Sequence, residues 1–192
     1  MFKSIFDKTL ALFLIILFSP IYIVVSLLIF FKMGSPILFR QKRPGYKEKI
    51  FGIYKFRTMT NEKDANGNLL PDDKRLVGIG KFIRSTSLDE LPQLFNVLKG
   101  EMSFVGPRPD VAGYADKLVG EDRLMLKVKP GITGPAQLKY RNEEQILSNL
   151  KDPIQYNDEI LWPDKVKINV EYVKNWSFRQ DLIYMFQTIF KK

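Results

Sequence analysis

Two carboxylates stand side by side at Asp89 and Glu90, inside a stretch that runs from Arg84 to Pro109. One cation, Arg84, lies just before them, and a second, Arg108, lies after them in the stiff turn Gly106-Pro107-Arg108-Pro109. Residue types in this order suit chemistry at phosphorus. One carboxylate of the pair can act as a nucleophile on phosphorus, as in the aspartyl-phosphate enzymes. The other can hold a hard cation such as Mg2+ through oxygen. Arginines can neutralise phosphate charge that grows in a transition state. An isolated Asp-Glu pair has a plainer meaning, because the helix dipole favours acids at a helix start. The flanking residues tilt the balance towards chemistry.

The elements around the pair follow from pattern. Leu91 to Leu98 is apolar and reads as a helix whose start carries the two acids. Ser87 with Glu90 fits a Ser-x-x-Glu capping box, but a helix capped there would need the N–H that Pro92 lacks. A cap at Asp89 returns Pro92 to the first turn, where it is tolerated. The sequence leaves both starts open.

Composition bounds the rest. The 192 residues give room for one domain and a short anchor, and 45% hydrophobic content with a mean hydropathy of -0.13 excludes a polytopic membrane protein. A net charge of +9 and a pI near 9.6 call for a polyanionic partner: nucleic acid, anionic lipid or a phosphorylated substrate. There is no cysteine and no histidine. A Ser-His triad, a thiolate site and a histidine-ligated zinc are therefore excluded.

The run from Thr9 to Phe31 holds no charge and would reach roughly 35 Å as a helix, against a bilayer core of roughly 30 Å. Ser19-Pro20 interrupts it near the middle, where proline removes a backbone donor. Both flanks are basic, with Lys3 and Lys8 before and Lys32, Arg40, Lys42 and Arg43 after, so the positive-inside rule puts both on one side. A helix–break–helix hairpin that enters and leaves by the same leaflet satisfies both features better than a spanning helix. Gly34-Ser35-Pro36 marks the exit.

Residues 37–41 and 49–59 then read as two strands joined through Arg43-Pro44-Gly45, with Phe51, Ile53, Lys55, Arg57 and Met59 on one face. Residues 61–73 read as a mobile loop or hairpin tip. Beyond Pro109, residues 110–128 read as a helix with scattered charges, and 127–137 as a turn-rich Pro/Gly loop able to approach a phosphate closely. Tyr140 to Glu144 opens another helix, 152–164 reads as irregular, and 167–174 as helical. In 178–192, Phe178, Leu182, Met185, Phe186, Ile189 and Phe190 form an apolar stripe ending in Lys191-Lys192; it suits a core face or a membrane interface.

Ser85 to Gly100 and Met102 to Pro109 resemble the signature of the bacterial sugar transferases, and more narrowly of the small monotopic phosphoglycosyl transferases. Lys55-Phe56-Arg57-Thr58-Met59 and Lys129-Pro130-Gly131-Ile132-Thr133-Gly134 are similar to two further family segments. The resemblance, joined to the patterns above, implies a helix-rich α/β monotopic membrane protein with an N-terminal re-entrant broken helix, a small β-hairpin and several interfacial helices. Residues 1–34 would form the anchor, with its break at Ser19 and Pro20, and 35–192 a catalytic domain on the cytoplasmic face of the bacterial inner membrane. It implies transfer of a phosphosugar from a UDP-sugar to a polyprenyl phosphate, with release of UMP. Asp89 would be the nucleophile, Glu90 would bind Mg2+, and Lys55, Arg84 and Arg108 would clamp phosphate. Partners would be the two substrates and phospholipid, not nucleic acid. Two departures stand out: Pro135 where relatives carry a large residue, and Asn169 where they often carry an acid. The competing expectation is a membrane-anchored basic module that binds anionic lipid or nucleic acid without catalysis.

Overall fold

The computed structural model describes residues 2–76, 78–110 and 113–190. Lys191 and Lys192, expected to end the last helix, lie outside the described residues. The chain opens with helices α1 (Phe2–Leu17) and α2 (Ser19–Met33), which meet at 61°. Pro20 sits in the first turn of α2, so the bend falls where proline can no longer extend α1. No single helix among the described residues is long and apolar enough to cross a membrane, whereas the bent pair together is. Strands β1 (Leu38–Pro44) and β2 (Ile50–Phe56) pair next as the expected hairpin, but β1 runs three residues past Gln41, so Arg43 and Pro44 belong to the strand and the reversal falls at Gly45 and the 3-10 turn Tyr46–Glu48. Residues 61–70 form the expected tip, closed by an isolated bridge between Lys63 and Leu69. The short helices α3 (Asp72–Arg75) and α4 (Ile79–Ser85) lead to α5 (Gln93–Lys99).

The second half departs further from the sequence reading. Residues 110–128 do not form an α-helix in their described part. Gly113 and Gly120 have φ of 102° and 56°, left-handed values that break a right-handed helix. Only 3-10 turns form there, at Ala115–Lys117 and Gly120–Lys127. Within the loop expected over 127–137, β4 (Gly131–Thr133) pairs in parallel with β3 (Ser103–Val105), in register Ser103 to Gly131 and Val105 to Thr133. Pro135 opens helix α6 (Pro135–Lys139) and has an ordinary first-turn role there. Helix α7 (Glu143–Ser148) follows. The stretch expected to be irregular is instead helical: α8 (Pro153–Tyr156), a π turn over Asn157–Leu161 and α9 (Trp162–Lys174) run on without a break. Its prolines are the reason it reads as irregular, yet Pro153 and Pro163 both occupy first turns, and the Asp152 side chain caps α8 by accepting from the Gln155 N–H. Helix α10 (Phe178–Phe190) closes the chain.

Two compact units divide these elements. One comprises Lys8–Gln41 and Gly52–Lys99. Its core joins Val25 and Ile29 of α2 to Phe56 of β2 and Ile83 of α4, with Leu88 and Leu91 packed against them. The other comprises Met1–Asp7, Lys42–Phe51 and Gly100–Lys192. There the 3-10 segment places Met125 and Leu126 against Val166 and Val170 of α9. The apolar stripe of α10 is not core: Leu182, Phe186, Ile189 and Phe190 are all exposed, and the buried residue of that helix is Asp181.

Candidate active site

Asp89 and Glu90 lie in a single 3-10 turn, Leu88–Glu90, and the helix proper starts only at Gln93, after Pro92. Neither expected cap forms. Ser87 is left-handed at φ 57° and makes no side-chain cap. Pro92 explains the break, since a helix beginning at Ser87 would place it where its missing N–H matters. The turn is fixed from below by Leu88 and Leu91, which face the core of their unit. Tyr22 of α2 donates a hydrogen bond of 2.7 Å to the Leu91 carbonyl, so α2 holds the turn directly.

Strand β2 brings Lys55 to the pair. Its Nζ lies 2.8 Å from Glu90 Oε1 and 3.6 Å from Asp89 Oδ2, a cation shared between two carboxylates. Asp89 is 8% exposed, while Glu90 and Lys55 are half-buried. Burial raises the Asp89 carboxyl above the ordinary aspartate range; Lys55 opposes that shift, Glu90 adds to it, and Arg84 opposes it in turn. Arg84 projects from the last turn of α4 and is exposed. Four of the five expected polar residues of the site thus gather in one unit. The fifth, Arg108, belongs to the other unit.

Arg57, on the same strand face as Lys55 by spacing, is excluded from the pair. Its guanidinium donates to the carbonyls of Met33, Pro36 and Met59, tying β2 to the exit from α2. The sequence reading passed over Asn96 altogether. It is fully buried, accepts from the Tyr54 N–H at 3.0 Å and donates to the Gly52 carbonyl at 2.8 Å. It therefore completes the backbone of β2 on either side of Ile53 and fixes Lys55 relative to the helix that follows Asp89–Glu90. Its signal in the sequence is the one polar side chain within the otherwise apolar run 94–98.

Arg108 is the exposed residue of a turn whose neighbours Gly106, Pro107 and Pro109 are buried, and the backbone there is tightly held. A Cβ on Gly106 would meet the Lys129 carbonyl at 2.4 Å, and one on Gly131 would meet the Gly106 nitrogen at 2.2 Å, so only glycine permits this crossing. The Gly131 N–H donates to the Pro107 carbonyl and Arg43 donates to the Pro109 carbonyl. Next to it, burial raises the Asp110 carboxyl against the pull of Lys165, Arg108 and Arg43. Asn169 is buried, and its Oδ1 has no hydrogen-bond partner among the described residues. Nothing in these contacts brings it to the carboxylate pair.

The sequence is similar to those of known proteins. The family described as bacterial sugar transferase matches residues 1–192. An uncharacterised sugar transferase, EpsL, of Bacillus subtilis is 44% identical over 189 residues, which is 98% of this chain and 86% of that protein. A UDP-glucose:undecaprenyl-phosphate glucose-1-phosphate transferase of Klebsiella pneumoniae is 38% identical over 99% of this chain and 40% of its own length. An undecaprenyl-phosphate galactose phosphotransferase of Salmonella typhimurium is 34% identical over 97% of this chain and 39% of its own. The chain thus spans most of the first relative and about two-fifths of the other two.

Proposed function

The chain belongs to the bacterial sugar transferase family, and from that premise we propose that it transfers a sugar 1-phosphate from a UDP-sugar to a polyprenyl phosphate such as undecaprenyl phosphate. The observation that carries this reading is the buried Asp89 beside Glu90 with Lys55 shared between them. A carboxylate that is desolvated yet held by a cation is a competent nucleophile.

In the first step an Asp89 Oδ attacks the β-phosphorus of the UDP-sugar. A new Oδ–P bond forms, the bond to the bridging oxygen breaks, and UMP leaves with that electron pair. In the second step an oxygen of the polyprenyl phosphate attacks the same phosphorus and the Asp89 carboxylate departs, leaving polyprenyl diphosphate-sugar. The acceptor is already an anion, so the lack of histidine costs the reaction no general base.

Lys55 favours the ionised form of Asp89 against its burial and, with Arg84 and Arg108, would offset phosphate charge. Glu90 would hold Mg2+, which supplies charge neutralisation at the diphosphate. What supports this is the donor's chemistry, a half-buried hard carboxylate oxygen that also pairs with Lys55; among the described residues no group of three or more His, Cys, Asp or Glu side chains could hold the ion by itself. Such a cation would take its remaining oxygens from substrate and water, as Mg2+ commonly does.

Membrane association supports the choice of acceptor, because a polyprenyl chain does not leave the bilayer. The 61° bend between two apolar helices, the basic residues on both flanks and the exposed apolar stripe of α10 suit a chain that dips into one leaflet with its site at the cytoplasmic face. Residues 1–34 would be the anchor and 35–192 the catalytic part.

The test is UMP release from a panel of UDP-sugars in detergent, with polyprenyl phosphate and Mg2+, for the wild type and Asp89→Asn. We expect release by the wild type, its loss in Asp89→Asn, and its loss on chelation. Release that survives in the variant would discard the nucleophile. No release from any sugar would point to another nucleotide donor first, and to a basic anchored module without catalysis second.

A further inference from the structure

The Asp181 carboxylate is 2% exposed, and three donors from separate segments converge on it. Tyr172 of α9 donates to Oδ1 at 2.7 Å, Trp176 donates to Oδ2 at 2.9 Å, and Lys3 of α1 pairs with Oδ2. Lys3 also lies 3.3 Å from the Val105 carbonyl, as does the Tyr172 hydroxyl. A hydroxyl has one proton, and the shorter contact shows that it goes to Asp181, so Lys3 is the donor to Val105. One turn further along the same face of α1, the buried Asp7 accepts from Ser103 Oγ at 2.8 Å. Phe2 and Phe6 close the contact edge-on against Phe178, with centroids 5.2 and 5.0 Å away.

Ser103 and Val105 are the two ends of β3, and Val105 immediately precedes Gly106-Pro107-Arg108-Pro109. The next two carbonyls are held by the unit's own loop and helix, Gly106 by Gln137 and Pro107 by the Gly131 N–H. The Val105 carbonyl is held instead by a charge carried on the first turn of the anchor. Buried ion pairs are a costly way to gain stability, since an apolar contact of the same volume avoids their desolvation. They do fix geometry.

We propose that Lys3, Asp7, Tyr172 and Asp181 form a positioning device, in which docking of the first two turns of the anchor helix on β3 sets the loop that presents Arg108. These are positioning residues, acting through Arg108, and the role given to Arg108 rests on the function proposed above. The device ties phosphate binding to the seating of the membrane helix.

The test uses the full chain in detergent and two readouts. The first is amide hydrogen exchange of the segment 103–110 in Lys3→Met and Tyr172→Phe, which is independent of any activity. We expect exchange there to quicken about fivefold or more, the loss of one hydrogen bond, while the rest of the chain keeps its protection. The second is KM for the UDP-sugar in a double-mutant cycle with Arg108→Ala. Each variant should raise KM about fivefold in the wild-type background and leave it unchanged once Arg108 is gone. Lys3→Arg should restore both. Unchanged exchange in 103–110 overturns the proposal, and so does a KM effect that persists without Arg108, because a merely structural lesion would add to that substitution. If the wild type releases no UMP, the function proposed above is what has failed, and the exchange readout alone decides the positioning of the loop.

Discussion

Lys55 touches both carboxylates, and that sharing sets the expected behaviour of the site. Burial pushes the Asp89 carboxyl up, and Lys55 pulls it part of the way back. Lys55→Met should therefore move the acid limb of the rate profile to higher pH, and lower kcat roughly 100-fold through lost phosphate stabilisation. Rate measurements across pH check both. Asp89 itself carries a second expectation. Its folded-state pKa is raised, so ionising it costs stability as pH rises through that value. Below the unfolded pKa both states are protonated and that cost vanishes. Asp89→Asn should then be inactive but more heat-stable than the wild type at pH 8, with the gain shrinking as pH falls towards the ordinary aspartate range. A thermal-unfolding series over pH reads this directly.

At the scale of elements, Asn96 does for β2 what a neighbouring strand would do. Replacing it with Ala leaves the Tyr54 N–H and the Gly52 carbonyl without their partner in a buried position, and should cost about 2–4 kcal/mol in a denaturant or thermal titration. Activity should fall with it, because Lys55 lies on that strand. How much of this was legible in the sequence depends on the range of the interactions. The α1–α2 break, the hairpin and the last helix follow from local signals: a proline in an apolar run, period-two patterning, a 3.6-residue stripe. The pairing of Lys55 with Asp89 and Glu90 came from motif resemblance and not from spacing, since 35 residues separate Lys55 from Glu90. The parallel pair β3–β4 escaped because each strand is three residues long and its partner lies across an intervening segment. Prolines misled in 152–164, where Pro153 and Pro163 start helices instead of ending them. Glycines were under-read in 110–128, where Gly113 and Gly120 turn left-handed.

At the scale of the molecule, charge and apolar surface both point to a membrane. A net +9 attracts anionic lipid, but such attraction is screened within about 8 Å at physiological salt. The exposed apolar residues of α1, α2 and α10 are not screened; Phe31, Ile189 and Phe186 are 76%, 69% and 60% exposed. High salt should therefore leave the chain bound to anionic vesicles, as sedimentation would show. Reporters at residue 2 and at the C-terminus should both report the cytoplasmic side; a periplasmic signal from residue 2 alone would mean that the bent pair spans. A covalent bond between Asp89 and the phosphosugar can be looked for directly. The purified chain is incubated with a UDP-sugar and Mg2+ without polyprenyl phosphate, and its peptides are weighed by mass spectrometry. We expect one equivalent of UMP and a phosphosugar adduct on the peptide that contains Asp89, discharged when polyprenyl phosphate is added. UMP release that waits for the acceptor, with no adduct on that peptide, would contradict this bond and leave a direct transfer in its place.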